Sequence, residues 1–531
     1  LSAWSTKEII QRQQAAALSR TRMQLFINEA MDFGMPWARD PRRGRQVFDL
    51  LFDSSGPWGA QKFSGRLQQD LTPTEQNWWG LEAGPLVPQP HVEAVNRSLE
   101  VPTNIVRAAL NASSFPKAAG EMYTYLSMGT GALLMNEGDD RAPIQCYAVP
   151  SWRGLDFEEG PLGNVENVFW EKRYPAWQLA RKWPKAKWPT EIQKLIEERS
   201  TQKIPILQAS YYDDEIRGWR GHVIVRNLDA DVWQTTYRAN PWIIPRWWTT
   251  PGSTWGIGPM MLSLPDIKTA NKMVEMILKA AAYQLAPPLM VMHDGVVNPD
   301  TLRLTPHALI RVARTGGNLG RSIEPLDLGS KVDLGQLVLQ DIRQNIQRNL
   351  LARELPPATG AVRSPTEIIQ RMKELQEDAG PAFGRVIHEF VPPVIARAID
   401  ILDRKKVAGV SWNMLQIDHL ALKVKVTSPL AMQQKLNDVQ TTVQWMELAG
   451  QIGGPQLTMM VSDVESALVN IAFDMGVKGY AVRPQADRAK LQQAAGAIAA
   501  HQATPGGALA PPTNSASVTD PTSIPGLVQA A

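Results

Sequence analysis

The chain of 531 residues contains a single cysteine, Cys146. A disulfide framework within the chain is excluded, and assembly in a reducing cytoplasm is the default expectation. No apolar run reaches the ~18 residues needed to span a bilayer, so no membrane is expected among its partners. The N-terminus lacks the basic-then-apolar pattern of a signal peptide. The chain begins at Leu1 without a methionine, as a trimmed start would. Excess charge is also scarce. A net charge of +3 is too small for a wholly basic nucleic-acid coat, though it leaves room for a local basic surface.

Catalytic signatures are missing as well. The seven histidines are His91, His222, His293, His307, His388, His419 and His501. No pair has the helical spacing of metal ligands, and one cysteine cannot make a zinc pattern. Neither a phosphate-binding Gly-x-x-x-x-Gly-Lys loop nor a Gly-x-Ser-x-Gly elbow occurs. Gly129-Thr130-Gly131 lacks the third glycine of a dinucleotide site and reads as a turn. Paired acids occur at Asp139-Asp140, Glu158-Glu159 and Asp213-Asp214, each in an expected turn. Solvated carboxylates are expected there rather than a catalytic dyad, which needs burial to separate its pKa values. His293-Asp294-Gly295 has no evident serine partner. The expectation is a protein that is not an enzyme and takes no cofactor or metal.

The length predicts two to four domains. Tryptophan is uneven: sixteen of the 18 precede Gly256, and only Trp412 and Trp445 follow. The first half reads as a Trp-rich mixed region and the second as Leu-, Val-, Ala- and Met-rich helices, with a boundary expected near 250. In the first half a helix is predicted over about 5–33, with Ser5 or Thr6 capping and Glu8 in the first turn. Residues 34–58 read as an arm or loop, and 59–71 as a short amphipathic helix. Two helices follow over 90–136, the second from Ala118 to Met128. The stretch Tyr125-Leu-Ser-Met-Gly-Thr-Gly-Ala-Leu-Leu-Met135 then gives a helix, a small-residue turn and a strand. Strands are predicted over 144–167, 168–172, 206–212, 219–225 and 242–248, with a helix at 174–183.

The central segment is the most informative. Trp255-Gly256-Ile257-Gly258-Pro259 leads into a helical pattern from Met260 to Leu285, which Pro287-Pro288 stops. A β-rich insert dotted with arginines follows, then a second helix from about Leu334 to Arg353. A Pro/Gly loop, Leu355-Pro356-Pro357-Ala358-Thr359-Gly360, precedes Arg363-Ser364-Pro365-Thr366-Glu367. There Ser364 caps and Pro365 takes the first turn of a long helix. Gly380-Pro381 should kink that helix and Pro392-Pro393 should bend it again. Phe383, Ile387, Phe390 and Val394 form its apolar ladder. A strand is predicted at Leu422–Val426 and helices at 432–450, 461–474 and 484–500. Beyond Ala503 the composition predicts disorder unless a neighbouring chain holds it.

This order of helix, β insert, helix, loop and long helix resembles the core of tailed-phage portal proteins, the ring-forming head-to-tail connectors, in particular those of short-tailed phages. The resemblance covers about residues 20–480. It implies an α+β fold divided as follows: an N-terminal wing (1–255), a first stem helix (256–286), a clip (287–331), a second stem helix (332–353), a channel loop (354–363), a bent wing helix with a return strand (364–430), a helical crown (431–502) and a tail (503–531). It further implies a ring of twelve copies at one capsid vertex, assembled in the host cytoplasm and retained in the virion. Its partners would be the major capsid protein, the terminase large subunit as motor, tail adaptor and tail proteins, and double-stranded DNA without sequence specificity. The rival readings are another ring-forming adaptor or scaffold protein of a virion, and an enzyme with a dispersed site.

Candidate residues follow from these elements. Arg343, Arg348, Arg353, Arg363 and Arg371 run along the second stem helix, the loop and the start of the long helix, where they suit weak contacts to DNA phosphates. Arg303, His307, Arg311, Arg314 and Arg321 give the insert a positive docking surface. Met273, Met276, Ile277, Ala280 and Ala281 give the first stem helix the small and apolar faces that ring neighbours need. Singly, each arginine also fits ordinary solvated surface, with partners such as Asp341 and Glu354.

Overall fold

The computed structural model describes residues 3–38, 50–74, 77–285, 289–291, 323–325, 332–352, 365–411, 415, 422–426, 439, 441–451, 468 and 471. Residues 1–441 form one compact unit and 442–531 another. No division falls near 250. The step in tryptophan content marks a change from mixed helices and strands to mainly helices within one unit.

Helix α1 (Thr6–Gly34) starts at a capping box. Ser5 accepts from the Glu8 amide, and the Glu8 carboxylate accepts from the Ser5 amide. Helix α2 (Ser55–Leu71) begins four residues earlier than its amphipathic pattern suggests. Strand β1 (Trp79–Ala83), helices α3 (Gln89–Ala112) and α4 (Phe115–Leu126), and strands β2 (Leu133–Glu137) and β3 (Ile144–Ala148) follow. Glycines let α2 sit close to its neighbours. A Cβ on Gly56 would strike the Phe33 carbonyl, and one on Gly59 would strike Leu350.

The next strands form a five-stranded antiparallel meander: β4 (Leu155–Glu159), β5 (Val165–Pro175), β6 (Lys203–Asp213), β7 (Gly218–Val225) and β8 (Ala230–Tyr237). Helices α5 (Ala176–Lys182) and α6 (Thr190–Glu197) connect β5 to β6. Side chains alternate across the sheet. Ile204, Ile206, Val223 and Val225 face one core with Leu179, Trp183 and Ile192. Leu207, Ala209, Tyr211 and Ile224 face the other, against Ile9, Ile10 and Ala16 of α1. Trp4 stacks on Tyr211 at 3.9 Å between ring centroids, fixing the start of α1 to this second face.

Strand β9 (Trp242–Ile243) joins β2 in a three-stranded sheet, and β10 (Trp248–Thr249) pairs with β11 (Gly256–Ile257). Helix α7 (Pro259–Leu262) and helix α8 (Leu264–Leu285) divide the expected 260–285 helix at Ser263. Strands β12 (Leu289–Val291) and β13 (Ile323–Pro325) pair antiparallel. Helix α9 (Val332–Asn349) is shorter than expected at its C-terminal end, where Leu351 takes φ 52°. Helix α10 (Pro365–Arg404) continues through both Gly380-Pro381 and Pro392-Pro393. Strand β14 (Leu422–Val426) pairs with β1, bringing Trp79 opposite Val426. From residue 382 on, α10 buries Phe383, Val386, Phe390, Val394 and Ala398 in the largest core, a spacing of three or four residues that keeps one helix face inward. Residues 442–451 of the second unit are helical, inside the expected 432–450 helix and one residue past it.

The paired acids correct the expectation of solvated turns. Asp139 and Asp140 are exposed near a turn, as expected. Glu158 and Glu159 instead end β4, where Arg12 and Arg246 bind them. Asp213 ends β6, buried, and Arg220 binds it. Asp214, beside it, is exposed in the turn, as expected, while a basic residue on a neighbouring element meets Glu158, Glu159 and Asp213.

Candidate functional site

Two glycine-rich segments meet where the first stem-like helix leaves the body. Gly129 takes φ 110°, and a Cβ there would strike the Gly256 carbonyl. The reverse holds for Gly256, while a Cβ on Gly258 would strike the Ser127 carbonyl. The Gly256 amide donates to Thr130 Oγ1 at 2.9 Å, and the Met260 amide donates to the Ser127 carbonyl at 3.1 Å. The small residues of both segments are thus a close-approach requirement, which explains the turn after α4 and the punctuated start of α7 together.

Beside this junction lies Arg246, 1% exposed. Its guanidinium donates to Glu389 of α10 at 2.7 Å, to the Gly163 carbonyl at 2.7 Å, and to Glu159. Its backbone amide also donates to Glu389, at 2.8 Å. Burial would lower its pKa, but the hydrogen bonds and charges of Glu389 and Glu159 outweigh that and raise it. A second buried pair, Arg397 with Asp400 at 2.5 Å, lies on α10, where Arg397 also donates to the Met135 carbonyl of β2. Both clusters tie α10 to the strands. Sequence reasoning did not single out Arg246 or Arg397. The available signal was a cation inside an apolar run, Trp242-Ile-Ile-Pro-Arg-Trp-Trp248.

Helices α8 and α9 pack together, with the paired β12 and β13 closing the base of the insert between them. A strap at residues 50–53 fastens both helices. Asn271 of α8 accepts from the Phe52 and Asp53 amides at 2.7 and 3.1 Å and donates to the Leu50 carbonyl at 3.1 Å. Arg343 of α9 binds the buried Asp53 carboxylate at 2.6 Å. Burial would raise the Asp53 pKa, but hydrogen bonds from Ser55 and Arg343 overcome it and hold the group below its ordinary value.

Helix α8 carries four distinct faces, as its residue spacing of 100° per step requires. Met273, Val274 and Ile277 turn into the chain's own core. Met276 (61% exposed) and Tyr283 (55%) lie on one flank, and Leu278 (53%) and Leu285 (88%) on the other. The outward face carries Lys272 and Lys279, which bind Glu275 at 2.9 and 2.7 Å.

Of the sequence-derived candidates, Met276 is therefore an exposed flank residue, Met273 and Ile277 pack within the chain, and Ala280 and Ala281 are half-buried. Arg343 binds Asp53 and Arg348 is exposed in the last turn of α9. Arg371 lies in α10. Arg353, Arg363, Arg303, His307, Arg311, Arg314 and Arg321 lie outside the described residues, as do the 354–363 loop and the tail beyond 503. Among the described residues no group of histidine, cysteine and acidic side chains is arranged to hold a metal, and no helix is long and apolar enough to cross a membrane. Burial pushes the Cys146 thiol up to about 12.

A head-and-tail-joining virion component is the class this order of elements fits. The family model described as "Bacteriophage head to tail connecting protein" matches residues 6–479, and the chain belongs to that family. A relative from Bordetella phage BPP-1, named "Probable portal protein", is 22% identical over 395 residues, spanning 69% of each chain. Among solved structures, a chain in the neck of an empty gene transfer agent particle covers 81% of this chain and 93% of its own length at 12% identity and a TM-score of 0.35. A chain in the virion of a native gene transfer agent particle covers 79% and 89% at 11% identity and a TM-score of 0.33.

Proposed function

We propose that the chain is one subunit of a portal ring at a capsid vertex, through which double-stranded DNA is packaged and later ejected. The observation that carries this reading is the two-flanked α8. A helix in a closed ring meets one neighbour on each side, through two different surfaces. Apolar residues on both flanks, separated by an inward core face and an outward ion-paired face, supply those two surfaces. In this reading α7–α8 and α9 are the stem, the insert between them is the clip, 354–363 is the channel loop and α10 is the wing helix. Twelve copies, residence in the virion and assembly in the host cytoplasm follow from the resemblance.

The protein acts as a conduit without chemistry of its own, and ATP hydrolysis belongs to the terminase motor that docks on the clip before the tail adaptor does. Arg348, Arg353, Arg363 and Arg371 contact the DNA backbone weakly, as sliding requires. Arg343 contributes less, because Asp53 already neutralises it. The clip residues Arg303, His307, Arg311, Arg314 and Arg321 meet acidic partners.

Deleting 354–363 tests the channel. Rings should still form while packaging or retention of DNA fails, and unaltered genome length and infectivity would contradict the role. Reversing the charge of Arg311 and Arg314 tests the clip. Motor or adaptor binding should be lost with ring assembly spared, and normal DNA-filled, tailed particles would refute it.

A further inference from the structure

A second basic surface lies far along the chain from the stem. Between Glu171 and Glu191 the sequence holds six Lys or Arg residues and no acid, in a protein whose net charge is only +3. Arg173 is exposed and points to the opposite sheet face from Lys172 and Tyr174. The other five, Lys172, Arg181, Lys182, Lys185 and Lys187, belong to β5, α5 and the segment after it. Helix α6 packs against α5 and carries Glu191 and Glu197, with Glu198 just past its end. Even so, among the described residues no ion pair joins any of the five cations to an acid, although basic groups elsewhere in the chain are repeatedly paired.

The backbone holds these cations in place. In Trp183-Pro-Lys-Ala-Lys-Trp188, Trp183 is buried and Ala186 and Trp188 pack against the same core, while Lys185 and Lys187 between them are exposed. Trp183 and Trp188 meet edge-to-face at 6.3 Å, and the Lys187 amide donates to the Val232 carbonyl of β8 at 2.8 Å. Behind them two cations crowd one aromatic cluster. Lys172 Nζ stands 5.2 Å from the Trp170 and Tyr174 rings, and Lys182 Nζ stands 4.4 Å from Tyr174 and 4.7 Å from Trp183. Lys182 also donates to Tyr174 Oη at 2.7 Å. Lys182 is exposed overall, but burial of its amine against these rings, and then the Lys172 charge, push it down to about 7. An anion arriving here would relieve that repulsion.

We propose that Arg181, Lys182, Lys185 and Lys187, backed by Lys172, bind the phosphate backbone of double-stranded DNA at a surface separate from the stem and the channel loop. Lysine predominates, and its point charge suits a polyanion whose phosphates need not be met in one fixed geometry, whereas a carboxylate partner favours the paired donors of arginine. This inference does not rest on the channel reading, since none of these residues lies on α8, α9 or the 354–363 loop.

The test measures binding of a short blunt duplex of arbitrary sequence to the full chain and to a variant carrying Arg181→Gln, Lys182→Gln, Lys185→Gln and Lys187→Gln, across a salt series. The variant should bind at least about tenfold more weakly at low salt, and its log K against log salt slope should shrink by about 3–4, near 0.9 per lost phosphate contact. The double variant Lys185→Gln/Lys187→Gln, at two exposed loop positions, should shrink the slope by about half that amount. Replacing the three lysines by arginine should retain binding. Equal affinity and slope for the chain and the quadruple variant would overturn the proposal. So would patch-dependent binding of poly-glutamate with none of duplex, which would assign the surface to an acidic protein.

Discussion

The junction around Arg246 and the outer flanks of α8 handle unfavourable groups in opposite ways. At the junction a buried cation is answered within the chain by Glu389, Glu159 and two carbonyls. On α8, Met276, Leu278, Tyr283 and Leu285 stay uncovered by the chain itself. The Arg246 cluster therefore completes its own interactions, whereas α8 leaves apolar side chains uncovered on both flanks. Changes at the junction should act on the stability of one subunit, and changes on the flanks should act on association and leave the subunit intact.

The comparison is broken most forcefully at Arg246. Arg246→Met removes the guanidinium from the nearly buried Glu389, the exposed Glu159 and two carbonyls, and should cost about 3–5 kcal/mol of subunit stability, read as a lower urea midpoint with unchanged slope. A loss below 1 kcal/mol would mean that water replaces the guanidinium there. Phe390→Ala, in the core that α10 shares with Phe115 and Tyr123, should cost about 3–5 kcal/mol by the same measurement.

A smaller effect is expected at the strap. Arg343→Ala removes one partner of the buried Asp53 and should cost about 1–3 kcal/mol. The folded Asp53 pKa is depressed, so its contribution is present above the ordinary carboxylate range and is lost as the pH falls through that range. The variant should therefore show a shallower acid-induced loss of stability than the parent, and parallel acid profiles would remove Asp53 from the account.

On the flanks, Met276→Glu or Leu278→Glu should prevent ring closure while shifting the subunit's unfolding midpoint little, by about 0.5 kcal/mol for the exposed Met276. Rings of normal size from both variants would show that α8 is not the seam. The smallest effect concerns Lys182. Its folded pKa, about 7, lies below the ordinary lysine value, so the unfolded chain binds more protons between them and stability should rise with pH from about 7 to 10. Lys182→Met should flatten that rise in Tm, and an unchanged pH profile would place the amine in solvent.

Local signals were legible in the sequence and long-range ones were not. The Ser5–Glu8 cap, the Phe383-to-Val394 ladder and the strand Leu422–Val426 were readable because each is written in neighbouring residues. The partner of that strand, Trp79–Ala83, was not, since nothing local marks a pairing across more than 300 residues. Strand β8 was missed because its Asp231, Gln234, Thr235 and Thr236 give an edge strand with one wet face. The order of helix, short paired strands, helix and long helix was legible. Assigning Met273 and Ile277 to the chain's own core required the packing of α8 beside α9, because periodicity alone shows that a helix has an apolar face and not which neighbour covers it.

The most direct test of the central claim, that the α8 flanks are seams between copies, is a native mass measurement of the purified full chain beside its Met276→Glu variant. The account predicts a closed ring of many copies for the parent and a folded monomer for the variant. A parent that remains a monomer or dimer at all concentrations, or a variant that closes the same ring, would contradict it.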